Sequence, residues 1–480
     1  MSLSDLFYFQ PYLWLGFGGV FVLLAGLLPA GQKLAYLLTI VVLTGAMLSS
    51  LELIYYNEVI ESFIRVNGYT QTCTAFFCFV ALIIFFMSFS ARTIKETIDE
   101  IYYSLIIFST LGMALILSDN LIAVLIGIEL VTICGFCLTA WRPERNGAIE
   151  AATKIVITAG VASAFLLMGI ALIYIGSGTL IVSKIPHMLT QPHGHSYIVM
   201  IGFVMLLVGV GFEMAVVPFH NWLADFYEGA PVPVVTFTGT VGKLAVLAWM
   251  AQLPFWLNGS LCLLELLHSV VTIIAILSMI VGTVLALNQN SLKRIMAYSS
   301  VTHFGFILVA LALNQSSDST SAIIYYGLIY TTTTIAIFSL ITAVESAEGW
   351  SDLEHYRGFG YRCPWAGIAM TIATLSLAGI PPFTGFIAKF LTFKTAIAQN
   401  AWVLVITMVL TSAASIFYYL RIPLLIFDTS EQILPEKDSL CVKAKGFSVN
   451  KVISYLFVST IFIVAIMAQS VLYYITDKMN

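Results

Sequence analysis

Seven ionisable side chains stand inside stretches of this sequence that are otherwise apolar. A charge at the centre of a bilayer costs roughly 3 kcal/mol, so such residues normally face a polar interior and mark the path of an ion or a proton. Carboxylates, amines and imidazoles in this setting predict proton transfer, with histidine able to carry intermediate steps because it titrates near neutral pH. The seven are Glu129, Lys154, Glu213, Lys243, Glu265, His303 and Lys389, and His220 lies beside one of the apolar stretches.

Some of these positions also have a purely structural interpretation. Lys154 lies near the start of its stretch, where its long side chain could reach the membrane surface. Glu265 and His268 are one turn apart and could form a surface pair. His303 could make a hydrogen bond between packed helices. A functional role is favoured most strongly for the residues near the centres of their stretches, which are Glu129, Lys243 and Lys389.

The composition identifies the surroundings of these residues. The chain has 480 residues, of which 60% are hydrophobic and 10% are charged, whereas soluble domains average about 45–50% apolar and about 25% charged residues. The apolar residues occur in blocks of roughly twenty, which predicts membrane-spanning helices rather than the alternating strands of a β-barrel. The net charge is -4 and no basic cluster is present, so nucleic acid is excluded as a partner. We predict an all-α integral membrane protein.

The apolar blocks predict about fourteen transmembrane helices. The block at 363–396 contains Gly379-Ile-Pro-Pro382, and residues 218–233 end in Gly229-Ala-Pro-Val-Pro233. Proline cannot continue a helix, so both segments should be broken. Broken helices in corresponding positions predict a pair of inverted repeats. The blocks are at about 12–30, 34–55, 73–91, 102–118, 121–141, 153–178, 197–218, 232–253, 261–287, 296–314, 321–346, 363–396, 401–427 and 452–474.

The loops between these blocks carry cations asymmetrically. One side holds 13 of the 21 Lys and Arg residues, and the other side holds 3. Because cytoplasmic loops carry the excess, both termini are predicted to be non-cytoplasmic. No loop is long enough for a soluble domain, so redox cofactors are expected on other proteins. The 13 are Lys33, Arg92, Lys95, Arg142, Arg145, Lys293, Arg294, Arg357, Arg362, Lys437, Lys443, Lys445 and Lys451.

Three motifs in the sequence carry a family resemblance. They are VPFHNWLADFYEGAPVPVV at 217–235, LKRIMAYSSVTH at 292–303 and LAGIPPFTGFIAK at 377–389. These motifs resemble the signature stretches of the antiporter-like membrane subunits of respiratory complex I. The resemblance covers about residues 100–430.

The resemblance implies a fourteen-helix subunit in the membrane arm of a proton-pumping NADH:quinone oxidoreductase, in the bacterial inner membrane or an equivalent energy-coupling membrane. It implies N-terminal helices at 1–100, antiporter-like five-helix repeats at 101–255 and 256–430, and a C-terminal loop and helix at 431–480. Such a chain is one subunit of a translocase and has no redox centre of its own. NADH, flavin, iron-sulfur clusters and quinone would belong to partner subunits, both membrane and peripheral.

The resemblance also implies roles for individual residues. Glu129, Lys243 and Lys389 match the buried glutamate and lysines of the family, and Lys154 stands where one type of these subunits commonly has a lysine. Glu213 is a departure, because the family has lysine at this position. Two facing carboxylates repel each other, so we expect Glu129 and Glu213 to share a proton.

Three alternative functions stay open at this point. A subunit of a multisubunit cation/proton antiporter is similar in sequence, and a subunit that no longer pumps would account for Glu213. A lone solute transporter is the weakest alternative. A complex I subunit should copurify with flavin and iron-sulfur proteins, whereas an antiporter subunit should copurify with membrane proteins only.

The cation asymmetry makes a testable prediction about topology. A cysteine introduced near residue 3 should react with a membrane-impermeant thiol reagent only from the non-cytoplasmic side, because positive loops stay inside. A cysteine in the loop 142–152 provides the opposite control. Labelling of the terminal cysteine only from the cytoplasmic side would reverse the predicted orientation.

Overall fold

The computed structural model describes residues 3–28, 31–60, 63–91, 99–144, 147–190, 196–313, 317–348, 352–428 and 449–479. The described chain is almost entirely helical, which confirms the predicted all-α class. Some of the cations used for the orientation lie outside the described residues, namely Arg92, Lys95, Arg145, Lys437, Lys443 and Lys445.

The helices are numbered here in chain order. They are α1 Leu3–Tyr8, α2 Gln10–Ala25, α3 Gly31–Glu52, α4 Gly68–Ser90, α5 Glu100–Ile116, α6 Leu121–Thr139, α7 Ala148–Ser177, α8 Ile185–Leu189, α9 Ser196–Glu213, α10 Leu223–Gly229, α11 Val232–Thr236, α12 Lys243–Met250, α13 Leu253–Trp256, α14 Leu261–Leu287, α15 Leu292–Ala312, α16 Ser317–Glu348, α17 Phe359–Arg362, α18 Pro364–Ala378, α19 Thr384–Ala398, α20 Trp402–Ile426, α21 Val449–Ile466 and α22 Ala468–Met479.

Within the described residues, 11 helical segments are long and apolar enough to cross a membrane, and α2, α5 and α18 are shorter apolar helices. The centre of the bundle is formed by α15 and by the segment 232–256, each with 94% of its apolar part buried. At the edge, the corresponding share of α7 is 33%. The number of fourteen spans, the repeats and the orientation of the termini stay predictions.

Both predicted interruptions are present in the structure. The helix α18 ends at Ala378, where Gly379 takes a left-handed conformation with a φ of 81°, and α19 begins at Thr384. Glycine adopts this conformation without steric cost. In the predicted segment 218–233, α10 ends at Gly229 and α11 begins at Val232. A further gap precedes it, because α9 ends at Glu213 and α10 begins only at Leu223. Each break leaves backbone groups without helical partners inside the bundle.

Close packing fixes the position of α9, which carries Glu213. A Cβ atom on Gly169 of α7 would lie 2.7 Å from the carbonyl oxygen of Gly202 on α9. The two helices therefore touch through their backbones, as is common in membranes, where association depends on packing rather than on exclusion of water.

Two local features differ from the predicted pattern of helices and loops. Strands β1 (Glu58–Ile60) and β2 (Ile64–Val66) pair in the antiparallel direction in a region expected to be a loop. Residues Phe237–Gly242, between α11 and α12, form a π-helix. The π-helix differs from the α-helix in its hydrogen-bond register, which composition does not reveal, and it occurs frequently at functional sites.

Candidate functional site

Lys243 is buried at the centre of the bundle, with 1% of its surface exposed. It is the first residue of α12, directly after the π-helix. Its Nζ donates to Ser300 Oγ at 3.1 Å and lies 5.2 Å from the centre of the Phe304 ring. Ser300 and Phe304 are one turn apart on α15, so this helix offers the amine both a hydroxyl and an aromatic face.

Lys389 is buried on α19, the helix that begins directly after the break at residues 379–383. Its Nζ donates to the carbonyl oxygen of Ala378 at 2.8 Å. The helical partner of that carbonyl would be the N–H of residue 382, but Pro382 has none. A Cβ atom on Gly379 would lie 2.7 Å from Lys389 Cδ. The broken helix therefore supplies the acceptor for the amine and also leaves space for its side chain.

His303 lies on α15 one turn after Ser300, the residue that binds Lys243. Its Nδ1 is 2.9 Å from the hydroxyl of Tyr326 on α16, and its Nε2 is 2.7 Å from the hydroxyl of Tyr419 on α20. His303 also interacts electrostatically with Lys389, whose Nζ lies 5.3 Å from the centre of the Phe306 ring. A neutral imidazole donates through one nitrogen and accepts through the other, and each tyrosine hydroxyl can do either. The imidazole can therefore receive a proton on one side and release one on the other.

Two carboxylates belong to the same region as Lys243, one on α6 and one on α9. Glu213, the last residue of α9, accepts a hydrogen bond from Thr132 Oγ1 of α6 at 2.5 Å. Its charge interacts with those of Glu129 and Lys243. Oε1 of Glu129 is buried without a hydrogen-bond partner in the described part of the chain. The structure thus brings Glu129, Glu213 and Lys243 together.

Lys154 belongs to a different group of charges. Its Nζ is 2.6 Å from carboxylate oxygens of both Glu150 and Asp225, and its side chain is 44% exposed. Arg294 binds Asp225 at 3.0 Å and also pairs with Glu228. We call these five residues the Asp225 cluster. They lie at the end of the bundle that is predicted to face the cytoplasm, apart from the buried lysines.

The remaining sequence candidates lie elsewhere. His220, between α9 and α10, bonds the backbone of Pro218. Glu265 and His268 line a cavity of about 560 Å³ at the start of α14, where His268 Nδ1 contacts the carbonyl oxygen of Ala312 at 2.9 Å. No group of three or more His, Cys, Asp or Glu suited to a metal ion occurs in the described ranges.

Sequence reasoning missed the hydroxyl groups that connect the ionisable residues. Thr132, Ser300, Tyr326 and Tyr419 all lie in apolar helices, where serine, threonine and tyrosine are common packing residues. The spacing of Ser300 and His303, one turn apart in a signature motif, was the available signal.

The fold and its buried charges define a class of membrane proteins. Residues 118–415 match the family described as NADH:quinone oxidoreductase/Mrp antiporter, transmembrane. The chain belongs to this family, which confirms the resemblance found in the motifs.

Individual relatives narrow the class. NADH-quinone oxidoreductase subunit N of Geotalea uraniireducens is 31% identical over 88% of this chain and 89% of its own length. The subunit N of Chromohalobacter salexigens is 38% identical over 66% of each protein. A chain of the respiratory complex I from Thermus thermophilus, solved with bound aureothin, is 28% identical, covers 96% of this chain and 98% of its own, and has a TM-score of 0.77. The length and the run from Asp225 to Pro233 also resemble subunit N most.

The fold extends to a more distant respiratory complex. A chain of an archaeal membrane-bound sulfane sulfur reductase superimposes with a TM-score of 0.84 at 21% identity, over 99% of this chain and 96% of its own. At this identity the likeness concerns the fold alone.

The position of Lys154 makes a testable prediction. Lys154→Gln should leave assembly of the chain into its membrane complex unchanged, because Asp225 keeps Arg294 as a partner and exposed ion pairs contribute little. Native gel electrophoresis of solubilised membranes measures assembly. Lys293→Gln is the matched control and should reduce assembly, because Lys293 and Glu345 form a buried ion pair at 2.8 Å. Equal losses in both variants would contradict the peripheral role of Lys154.

Proposed function

We propose that this chain is a proton-translocating subunit in the membrane arm of an NADH:quinone oxidoreductase. As one subunit of this translocase, it couples electron transfer from NADH to quinone on other subunits to proton movement through its own helices. The observation that carries the proposal is the set of ionisable groups inside the bundle of a chain of this family: Lys243, His303 and Lys389 are buried on α12, α15 and α19, and Glu129 and Glu213 are half-buried on α6 and α9. Its partners are the other membrane and peripheral subunits, and it is a multi-pass protein of the bacterial inner membrane.

The finer architecture forms part of the same proposal. We infer fourteen transmembrane helices, with inverted five-helix repeats at 101–255 and 256–430 and both termini outside the cytoplasm. The proposal is supported by the apolar helices of the bundle and by one helix break within each of these two ranges. NADH, flavin, iron-sulfur clusters and quinone would be bound by partner subunits.

The first part of the route consists of Glu129, Glu213 and Lys243. The charges of the two carboxylates interact, so ionisation of both at once is unfavourable, and in the proposed route they share one proton. The protonated acid can donate a proton and its ionised partner can accept one. Glu213 and Lys243 interact electrostatically, so a proton that moves between the carboxylates changes the stability of the ammonium.

The second part of the route leads along α15 to Lys389. Ser300 bonds Lys243, and His303 lies one turn further along the same helix between two tyrosine hydroxyls. Electrostatic interaction of His303 with Lys389 gives the last step a driving force, since a positive imidazole and a positive amine repel each other. Arrival of a proton at His303 therefore favours release of a proton from Lys389.

A subunit that does not pump is the second candidate, and one observation favours it. Glu213 stands where the family has lysine, and its closest polar partner is the neutral hydroxyl of Thr132. Such a subunit would transmit movement or seal the membrane arm without carrying protons.

Copurification tests membership of the complex directly. The tagged chain, extracted in a mild detergent, should bring down flavin and iron-sulfur subunits together with NADH oxidation activity. Recovery of membrane proteins alone would instead identify a cation/proton antiporter subunit.

Removal of the buried lysines tests the route. Lys389→Ala should strongly reduce proton pumping by the assembled complex, because the variant lacks the amine that relays the proton. Assembly should stay intact, because alanine can largely replace lysine in the packing of the helix. Lys243→Ala should behave in the same way. Proton uptake into vesicles is measured per NADH oxidised, beside native gels. Full pumping by either assembled variant would refute the route, and loss of assembly in both would favour a structural role.

Substitutions of Glu213 distinguish a proton relay from a static ion pair. If Glu129 and Glu213 act as a coupled pair, Glu213→Gln should slow turnover, and Glu213→Lys, the residue found in the family, should be tolerated. If Glu213 instead forms a fixed pair with Lys243, Glu213→Lys would bring two amines together and disrupt assembly, at a cost of roughly 3–5 kcal/mol. Both variants are compared by native gels and by proton uptake into vesicles. A fully active Glu213→Ala variant would exclude both roles.

A further inference from the structure

The two halves of the broken helix touch each other one turn before Lys389. Gly385 is the second residue of α19, and its backbone N–H donates to Ser376 Oγ of α18 at 3.3 Å. A Cβ atom on Gly385 would overlap the backbone carbonyl oxygen of Ser376. Glycine is therefore required for α19 to begin this close to α18. We call this pair the Ser376–Gly385 contact.

The hydroxyl of Ser376 meets a need of α19. The first N–H groups of a helix have no partner within the helix, and a buried N–H group without an acceptor is costly. Ser376 and Gly385 are both buried, and Ser376 Oγ accepts from one of these N–H groups. A serine hydroxyl inside a helix usually bonds a carbonyl of the same helix, as that of Ser339 does on α16. Ser376 therefore joins two helices through an atom that commonly serves only one.

The amine of Lys389 depends on the distance between the same two helices. Lys389 is one turn after Gly385 on α19, and its Nζ donates to Ala378 O, near the end of α18, at 2.8 Å. Its bond to Ser412 Oγ on α20, at 3.5 Å, is at the limit of hydrogen-bond distance. A shift of the start of α19 away from α18 would therefore carry the amine away from its better acceptor.

We propose that Ser376 is a positioning residue for Lys389, and that Gly385 permits the close approach that this positioning requires. Ser376 takes up no proton itself. It holds the start of α19 against α18, so that the amine of Lys389 stays within reach of the carbonyl of Ala378. Proton transfer needs donor and acceptor within hydrogen-bond distance, and a displacement of 1 Å can slow a reaction by about 100-fold. This inference rests on the proposed function of Lys389 as a proton carrier.

Removal of the hydroxyl tests the position of Ser376 without adding any atom. Ser376→Ala should lower the rate of proton uptake into vesicles by about fivefold, the change expected for the loss of one neutral hydrogen bond. Ser339→Ala is the matched control and should pump like the wild type, because this buried hydroxyl bonds the carbonyl oxygen of Ala336 in its own helix. Equal rates in the two assembled variants would overturn the role of Ser376.

A second pair of variants tests the close approach of the helices. Gly385→Ala should lower proton uptake by about tenfold or more, because a methyl group at this position forces α19 away from α18. Gly135→Ala on α6 is the matched control and should leave the rate unchanged. Gly135 is also buried in a helix, but a Cβ atom there would lie 3.7 Å from Thr238 Cγ2, which is an ordinary contact. Pumping at the control rate by assembled Gly385→Ala would contradict the proposal.

A double variant distinguishes positioning of Lys389 from a general structural role. If Ser376 acts through the amine, Ser376→Ala should cause no further loss of proton uptake in a Lys389→Ala background, because effects that share one partner are not additive. An additional fivefold loss in the double variant would show that Ser376 acts independently of Lys389, and would overturn the proposal.

The same variants separate this inference from the proposed function. Full pumping by Lys389→Ala would refute the function itself. Loss of pumping in Lys389→Ala, with Ser376→Ala and Gly385→Ala both at the rates of their controls, would refute only the positioning role. Electron cryo-microscopy of the wild-type complex adds a test that does not depend on assembly of any variant. Ser376 Oγ should lie within hydrogen-bond distance of the Gly385 nitrogen, and a map that shows the two residues apart would overturn the proposal.

Discussion

An amine buried in an apolar bundle needs a hydrogen-bond acceptor, and the broken helix at residues 379–383 provides one. Pro382 cannot donate to the carbonyl of Ala378, so this carbonyl binds Lys389 instead. Burial of an unpartnered charge would cost far more than the hydrogen bonds that the break removes. The same prolines that interrupt the helix thus make it possible to keep a lysine inside the membrane. His303 on α15 lies close enough to interact electrostatically with this lysine, and the hydroxyls of Tyr326 and Tyr419 hold its ring.

The sequence predicts which charged residues belong to the site better than it predicts which uncharged polar residues do. Glu129, Lys243 and Lys389 stand out because a charge in an apolar stretch is costly and therefore rare. The prolines likewise predict both breaks, since their chemistry acts locally. Thr132 carries no such signal, because a threonine hydroxyl in a membrane helix usually bonds its own backbone, as this one also does at Ile128. Tyr326 and Tyr419 carry none either, because a tyrosine ring also serves as an apolar packing group. Their role depends on which helices pack against each other, and the pattern of apolar blocks in the sequence does not predict helix packing.

The case of Lys154 illustrates the limit of inference from a single position. Its place near the start of an apolar stretch allowed both a relay and a surface role. Only the packing of α10 against α7 and α15 brings Asp225 within reach of Lys154 and Arg294 together. One carboxylate then joins a helix of the first predicted repeat to a helix of the second. The periodicity of the sequence does not predict a contact between segments so distant in the chain.

Phe304 and Phe306 are two residues apart on α15, which sets their side chains about 200° apart around the helix. Lys243 and Lys389 rest against these two rings and therefore lie on opposite sides of α15. A sideways shift of α15 that pressed one ring against its lysine would therefore draw the other ring away from the second lysine. A movement of this kind, imposed by a neighbouring subunit, would favour charge on the two lysines in alternation. Mechanical force on one helix would then be enough to set the order in which the two sides load and empty.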